Sequence, residues 1–411
     1  MSTYYIDFMY GQDKNTGLSP EQARKNYTDL ALAPGDCVLF RRGSFVRGTL
    51  ETVPHVSYGA YGEGDLPTFC GSVDVSDAGD WQPTEQENVW RCTEKFRGDV
   101  GNLIFNENAC TATLRWAKED LCAQGDFYNP PLNTEQTKRL DEYAALYLYS
   151  EGNPAEAYSH IEVVPYGDRC MVRLADGMTF ENIRIINSGV HGMAGSGSNI
   201  TVRRCVLENI GGCPWNVDLK IRFGNAFEIW QEGNDILIEH CLFRNIYDSC
   251  VTHQGPGKDT VPTENFICRS CTFDTYGMAA FEYRDKLPIR SVFAYNVCLN
   301  AGCGFAMLGE ALPRSSEIWP QPMGHHIFLW RIPEPTDGGS LTISDNVFGP
   351  APAGAAIYSI ISPEAEAQIT LRNNQYTQNE VLLNRFGGKN YTALGEFQRQ
   401  TGQDIASTYT E

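Results

Sequence analysis

Three acidic residues near the middle of the chain, Glu228, Asp248 and Glu282, stand in segments with the alternating polarity of β-strands. The first two belong to GNAFEIWQEGNDILIEHCLFRNIYDSCVTHQG, residues 224–255, and the third to GMAAFEYRD, residues 277–285. Paired carboxyl groups serve as general acid and base, or as acid and nucleophile, in glycoside hydrolysis. We therefore predict a catalytic pair formed by two of these three residues.

Aromatic and polar side chains accompany these carboxylates. A sugar ring is usually held by an aromatic face and several hydrogen-bonding groups. The predicted substrate-binding residues are Trp230, Thr252, His253, Gln254, Tyr283, Arg284, Asp285, Glu310 and His191. The alternatives stay open, because an outward glutamate can simply be solvated, Asp248 in IYDSC can serve a turn, and alternation places His253 inward.

An internal repeat supplies the elements that must position these side chains. Four of the 14 cysteines recur in RRCVLEN, EHCLFRN, RSCTFDT and YNVCLNA, with spacings of 36, 30 and 27 residues between Cys205, Cys241, Cys271 and Cys298. Each stands between two strand-like runs, the second of which begins near a glycine or turn residue. We interpret the four as buried reduced thiols stacked at one inward position, with neither a metal nor a cofactor.

Short strands with a period that varies by loop insertion are typical of a right-handed parallel β-helix, whose coils bury their inward residues against neighbouring coils. The chain is predicted to be one all-β domain over residues 1–411 with regular coils over 175–385. SPEQ, beginning at Ser19, is typical of a capped helix and predicts an N-terminal capping helix over 19–33. The repeat is lost over 81–152, which predicts an inserted subdomain, and residues 390–411 predict a C-terminal cap with a short helix.

The register between coils follows from four similar runs, AFEIW, CVTHQ, AFEYR and GFAML. Their alignment predicts an inward column of Phe227, Val251, Phe281 and Phe305, and an outward column of Glu228, Thr252, Glu282 and Ala306. Neighbouring coils lie about 4.8 Å apart, so the two glutamates would be separated by roughly 9 to 10 Å at the backbone. Leaning side chains could then reach the roughly 6.5 to 9.5 Å that inverting glycosidases use.

The net charge of the chain limits the classes of molecule that it is expected to bind. The 411 residues carry a formal net charge of −19, with a pI near 4.8. Long-range repulsion therefore disfavours nucleic acid and anionic membranes and favours a neutral oligosaccharide substrate. The N-terminus does not resemble a signal peptide and no apolar run reaches 18 residues, so a cytoplasmic protein is expected. Association into a homo-oligomer stays open.

Several segments carry a resemblance to a known group. YYIDFMYGQDKNTGLSPEQA, PGDCVLFRRGSFVRGTL, the coil pattern and EFQRQTGQD resemble the pectin-lyase-like superfamily of right-handed parallel β-helix proteins, in particular its bacterial glycoside hydrolases. The resemblance implies the fold and an action on carbohydrate. The NTD, Asp-Asp and GHG motifs of polygalacturonases do not occur, since Val190-His191-Gly192-Met193 lacks the first glycine.

Three functions remain compatible with the sequence. The preferred one is a glycoside hydrolase with Glu228 or Glu282 as the acid, and the other glutamate or Asp248 as the base or nucleophile. A polysaccharide lyase or uronate epimerase would instead use Arg284 and Lys286 to neutralise a uronate. A non-catalytic carbohydrate-binding β-helix would scatter its outward carboxylates around the coil.

Overall fold

A computed structural model describes residues 1–130, 142–309, 323–377 and 382–410. Three long sheets, here called sheets A, B and C, run along the molecule and consist almost entirely of parallel strands, one from each sheet per coil. The predicted right-handed parallel β-helix is therefore confirmed. The ten strands of sheet A are Thr3–Ile6, Cys37–Arg41, Ser57–Tyr61, Thr179–Glu181, Ile200–Arg203, Asn234–Glu239, Glu264–Arg269, Ser291–Ala294, Leu341–Ser344 and Ile369–Arg372.

The other two sheets complete each coil. Sheet B consists of Phe45–Arg47, Thr68–Cys70, Arg184–Ser188, Val206–Ile210, Leu242–Ile246, Thr272–Tyr276, Val297–Ala301, Val347–Phe348, Gln375–Tyr376 and Thr408–Tyr409. Sheet C consists of Cys170–Leu174, His191–Gly195, Phe227–Trp230, Ser249–Gln254, Ala279–Arg284, His325–Trp330, Ile357–Ile360, Asn384–Phe386 and Lys389–Tyr391, of which the last pair is antiparallel. The three candidate catalytic carboxylates, Glu228, Asp248 and Glu282, are on sheet C or at its entrance.

The register of sheet C agrees with the sequence over three coils. Phe227 pairs with Val251 and Val251 with Phe281, which places Glu228, Thr252 and Glu282 side by side on the outer face. The fourth coil differs from the prediction, because Phe281 pairs with Ile327 rather than with Phe305. Phe305–Met307 forms a 3-10 turn instead, after Gly304 adopts a left-handed backbone with φ 80°. Phe328 therefore occupies the outward position predicted for Ala306.

Left-handed residues turn the chain from sheet B into sheet C. The backbone φ is between 55° and 61° at five stacked positions, an angle that asparagine tolerates better than most residues. The Asn209 amide donates to Asn187 Oδ1 (3.0 Å), and the Asn245 amide donates to Asn209 Oδ1 (2.6 Å). The five residues are Asn187, Asn209, Asn245, Thr275 and Asn300. Each of the five is the penultimate residue of its strand in sheet B, so the column marks where the chain leaves that sheet.

The inward cysteine column contains three of the four predicted members. Cys205, Cys241 and Cys271 precede strand residues that pair with one another, and burial raises the thiol pKa of all three. Cys298 is displaced from the column, because Asn296 takes the next position and accepts the Cys271 N–H (2.9 Å). Further asparagines continue the column, and their side-chain oxygens accept backbone N–H groups in the same way. A thiol sulfur is a weaker acceptor for such hydrogen bonds.

The region of the predicted insertion forms sheets that are separate from the coils, with their own hydrophobic cluster around Trp81, Phe105 and Phe127. This cluster also takes in Val75 and Ile161, so the packed unit extends beyond 81–152 on both sides. Its strands are Val73–Asp74, Trp81–Pro83, Val89–Cys92, Phe96–Arg97, Val100–Phe105, Cys110–Thr111, Thr113–Leu114, Asp126–Tyr128, Tyr143–Ala144, Tyr147–Tyr149 and Ile161–Pro165.

The helix predicted over 19–33 is wrong. Ser19 provides no side-chain cap, and only Pro20–Gln22 forms a 3-10 turn. The following backbone bonds to the first strand instead, since the Arg24 N–H donates to Tyr5 O (3.0 Å). At the other end, an eight-residue helix, Leu394–Thr401, packs Phe397 into the core and ends at a left-handed Gly402.

The remaining helical turns are short. They are the α-helical Pro154–Ala157 and Pro363–Glu366 and the 3-10 turns Ala78–Asp80, Lys118–Asp120 and Gly257–Asp259. Within the described residues, we find no helix with the length and apolar character needed to cross a bilayer.

The enclosed histidines of the coils predict acid sensitivity. Burial lowers the pKa of His253 and of His326 from near 6.5 to about 4. Below pH 6.5 the unfolded chain therefore binds more protons than the folded one, and the stability of the fold falls as the pH drops from 6.5 to 4, by about 3 kcal/mol for each histidine at pH 4. His253→Gln keeps a donor for Gln231 O but does not titrate. We expect it to flatten the pH dependence of urea unfolding over this range.

The exposed His240 supplies the control for this experiment. His240→Gln makes the same substitution at an exposed position and should change the free energy of unfolding at neutral pH by less than about 0.5 kcal/mol. An unchanged slope in His253→Gln would contradict the assignment of His253 as a neutral core residue.

Candidate active site

A cleft of about 430 Å³ lies on the outer face of sheet C. Its floor comes from six successive coils, and its far wall is the hairpin Cys213–Asn216 and Ile221–Phe223, which interrupts the coil between sheets B and C. The residues that line it are Tyr166, Arg169, His191, Pro214, Trp215, Ile221, Phe223, Asn225, Glu228, Trp230, Asp248, Gln254, Arg284 and Trp330. Five aromatic side chains and two arginines thus surround the carboxylates.

Close backbone contact holds the hairpin against the coil. Gly211 and Gly224, which flank it, both have positive φ, and a Cβ on Gly224 would lie 2.2 Å from Gly211 Cα. A larger residue at Gly224 would therefore push the hairpin away from the coil. Glycine is required here for close approach as well as for its backbone angle.

Arg222 anchors the hairpin to the rest of the molecule. Its guanidinium is buried and donates to Gly212 O (2.5 Å) and to Gly101 O (2.6 Å) of the inserted region, and it lies over the ring of Tyr247 (4.5 Å). Burial lowers the pKa of this arginine. One side chain thus joins the insertion, the hairpin and the coil, which together shape the cleft wall.

Glu228 is held in place by Asn225 and lies beside His191 in the cleft. Its Oε2 accepts a hydrogen bond from Asn225 Nδ2 (2.6 Å) and lies 3.6 Å from His191 Nδ1. That imidazole nitrogen also accepts the Asn225 N–H (3.1 Å), so in the neutral ring the proton is on Nε2. Burial of the ring lowers the pKa of His191 and favours this neutral form.

Asp248 stands at the corner where the next coil enters sheet C. Its N–H donates to Gly224 O (3.3 Å) and its carbonyl accepts from Met278 N–H (3.0 Å), so its backbone is fixed between two coils. Asn225 Oδ1 accepts the N–H of the following residue, Ser249 (3.0 Å). Of the described residues that line the cleft, Glu228 and Asp248 are the two acidic ones, and Asn225 lies between them.

Glu282 lies on the predicted outer face, yet it is fully buried and does not line the cleft. Its Oε1 accepts from Trp330 Nε1 (2.9 Å) and its Oε2 from Ser249 Oγ (2.6 Å). The indole of the next coil covers the carboxylate, and the sequence alignment could not anticipate this cover because it placed another residue in that coil. The expected face-to-face arrangement of Glu228 and Glu282 across a substrate does not occur.

The predicted binding residues divide into those that reach the cleft and those that do not. His191, Trp230, Gln254 and Arg284 line it. Thr252, His253, Tyr283 and Asp285 are buried elsewhere: His253 and Tyr283 face the core, Thr252 lies beneath Gln254, and Asp285 accepts from Arg331 (2.7 Å). Glu310 lies outside the described residues.

Comparison with known structures agrees with this architecture. No protein-family model and no curated protein sequence matches the chain. Among solved structures, the chain is similar to XylC in complex with xylose, with 13% identity and a TM-score of 0.54 over 92% of this chain and 62% of that one. The comparison supports the right-handed parallel β-helix fold. At this identity the similarity establishes the fold alone, and the chain spans about 62% of the length of XylC.

Two other β-helix structures overlap less closely. A GH136 lacto-N-biosidase from Eubacterium ramulus is 14% identical, with a TM-score of 0.47 over 100% of this chain and 67% of that one. A polygalacturonase from Erwinia carotovora is 12% identical, with a TM-score of 0.38 over 100% and 95%.

Sequence reasoning missed the residues that the insertion and the hairpin bring to the β-helix. Tyr166, Arg169, Trp215, Phe223 and Asn225 were not predicted as site residues. One signal pointed to the hairpin, because the 36-residue spacing from Cys205 to Cys241 exceeds the later spacings and marks extra chain at this coil. Such extra chain on one side of a solenoid commonly forms the wall of a binding site.

One group among the described residues has the composition of a metal site. Asp74, His160 and Glu162 place three possible ligand atoms within 4.8 Å of one another. Arg47 already binds Glu162 through two nitrogens (2.8 and 2.7 Å), and this cation would oppose a metal ion. We therefore interpret this group as an ionic link between the coil and the inserted region.

The role of Arg222 can be measured through stability. Arg222→Met would leave two enclosed carbonyls, Gly212 O and Gly101 O, without this donor, and we expect the free energy of unfolding to fall by about 2 to 4 kcal/mol. Urea unfolding measures this change. As a control, Arg204→Met removes a half-exposed ion pair with Glu181 and should cost less than about 1 kcal/mol. Equal losses in both variants would contradict the anchoring role.

Proposed function

We propose that this protein is a glycoside hydrolase that cleaves an oligosaccharide in the cleft of sheet C, with Glu228 and Asp248 as its two catalytic carboxyl groups. One observation carries the proposal: the cleft combines two acidic side chains with five aromatic ones. Paired carboxyl groups supply acid and base to glycoside cleavage, and aromatic rings stack on sugar faces.

The placement of the two acids is compatible with an inverting reaction. In the register, Asp248 lies one coil on and four residues before the position opposite Glu228. Strand rise and coil spacing put the two backbones roughly 14 Å apart. The Asn225 amide holds the Glu228 carboxylate near the start of its strand, the end at which Asp248 lies, and we infer that side-chain reach shortens this separation toward the roughly 6.5 to 9.5 Å typical of inverting enzymes.

The surrounding side chains have defined tasks in such a reaction. One carboxyl group protonates the glycosidic oxygen while the other accepts a proton from the attacking water. The Asn225 amide orients Glu228 by donating to its carboxylate, and the neutral ring of His191 positions Asn225 by accepting its backbone N–H. Trp215 and Trp230 are more than one-third exposed and offer faces for sugar rings, and Gln254 offers hydrogen bonds to hydroxyl groups.

The substrate proposed is a neutral oligosaccharide. The net charge of −19 opposes a polyanion at long range, and within the cleft the two acids offset the two arginines, Arg169 and Arg284. The similarity to XylC, whose structure contains xylose, adds xylose-containing oligosaccharides to those that should be tested.

A lyase or epimerase is the second candidate, because Arg169 and Arg284 could neutralise a uronate in the same cleft. Lys286, which this function was predicted to use, does not line the cleft and binds Glu334 (2.8 Å) instead. A lyase would release an unsaturated product that absorbs in the ultraviolet, whereas a hydrolase would release a reducing end without that absorbance.

The proposal predicts the loss of turnover in two variants. A screen with p-nitrophenyl glycosides and neutral oligosaccharides would first identify a substrate. Glu228→Gln and Asp248→Asn should then each lower kcat by about 10² to 10⁴-fold, since each removes a proton-transfer group and keeps the shape of the side chain. Glu232→Gln, an exposed glutamate of the same coil, is the matched control and should retain wild-type kcat.

The three possible results separate the functions. If either cleft variant keeps full activity, the proposed pair is wrong. If uronate polymers give the ultraviolet-absorbing product and neutral sugars are not cleaved, the lyase function replaces this one. If sugars bind without turnover, the protein is a carbohydrate-binding β-helix.

A further inference from the structure

A continuous chain of hydrogen bonds runs beneath the cleft along the axis of the β-helix. Trp330 Nε1 donates to Glu282 (2.9 Å), and Ser249 Oγ donates to the other oxygen of the same carboxylate (2.6 Å). Ser249 N–H donates to Asn225 Oδ1 (3.0 Å), and Asn225 Nδ2 donates to Glu228 (2.6 Å). The chain therefore connects Trp330 with Glu228 across four coils.

The internal members of this chain are enclosed. Ser249 and Glu282 are fully buried, and Asn225 is 2% exposed, so water does not replace these hydrogen bonds readily. The two end members, Trp330 and Glu228, line the cleft. The buried groups thus fix the orientation of two side chains that can touch a substrate.

Trp330 is held by more than Glu282. Its indole stacks on Phe328 with ring centroids 5.4 Å apart, and it lies under the guanidinium groups of Arg284 (5.6 Å) and Arg331 (4.9 Å). Asp285 in turn binds Arg331 through two nitrogens (3.0 and 2.7 Å). The hydrogen bond to Glu282 fixes the rotation of the indole through its one polar atom, whereas stacking and cation–π contacts tolerate sliding within the ring plane.

We propose that Glu282 is a positioning residue: it orients Trp330 as the wall of a sugar subsite and, through Ser249 and Asn225, supports the orientation of Glu228. This inference rests on the proposed function for its kinetic consequences, but the orientation of Trp330 is independent of it. Glu282 does not reach the cleft and has no part in proton transfer. The carboxylates of Glu228 and Glu282 are joined by a buried chain rather than opposed across a substrate.

Two substitutions at one position distinguish positioning from catalysis. Glu282→Gln keeps an oxygen that can accept from Trp330 and an amide that can donate to Ser249 Oγ, so kcat should stay within about threefold of the wild type. Glu282→Leu removes both hydrogen bonds, and KM for the best p-nitrophenyl glycoside of the screen should rise about tenfold with a smaller fall in kcat. A catalytic acid would show the reverse, with a loss in Glu282→Gln as large as that in Glu228→Gln.

Tryptophan fluorescence tests the same contact without any substrate. Glu282→Leu should shift the emission and increase acrylamide quenching, whereas Glu282→Gln should resemble the wild type. In a Trp330→Phe background the leucine substitution should no longer change the emission, and the KM effects of the two substitutions should not add, because they remove one shared interaction. Additive effects would overturn the proposal.

A buried carboxylate outside the cleft supplies the control for general damage. Glu239 is 6% exposed on sheet A, where it binds Arg203 and Arg269. Glu239→Leu should lower the unfolding midpoint and leave KM and the Trp330-dependent emission unchanged. If Glu282→Leu behaves in the same way, Glu282 is merely structural. If no glycoside is cleaved but the emission results hold, the proposed function fails and the positioning of Trp330 stands.

Discussion

The parallel register between coils is the constraint on which the rest of this structure depends. In a parallel stack each residue lies about 4.8 Å from its counterpart in the next coil, and a slip of one residue would exchange the inner and outer faces. The core column of Phe227, Val251 and Phe281 prevents that slip over the site-bearing coils. Because this register holds, the side chains beside those three form a continuous outer surface rather than a scattered set.

The corners determine how that surface becomes a site. Stacked left-handed residues, such as Asn209 and Asn245, mark where the chain leaves sheet B, and Asp248 follows three residues after Asn245. One long connection from sheet B to sheet C contains the hairpin that closes the cleft on one side. Arg222 then ties this hairpin to the inserted region, so a feature remote from the coil repeat shapes the space around the carboxylates.

Buried polar groups serve two different purposes along the axis. Asn296 and its successors satisfy backbone groups at an inward corner, which is a structural task repeated in every late coil. The chain from Trp330 through Glu282 to Asn225 differs in that it ends in side chains that line the cleft.

The sequence by itself determined the repeat, the parallel β-helix and the pairing of Glu228, Thr252 and Glu282, because alternation and core residue type are local properties that each coil repeats. It misplaced the helix over 19–33, Cys298 and Phe305, where backbone pairing or a turn overrode the local pattern. Only the tertiary structure decided which carboxylates reach the cleft. Trp330 covers a carboxylate, and Trp215 and Arg222 help to form the cleft wall. Both features depend on contacts between segments far apart in the chain, which no local periodicity encodes.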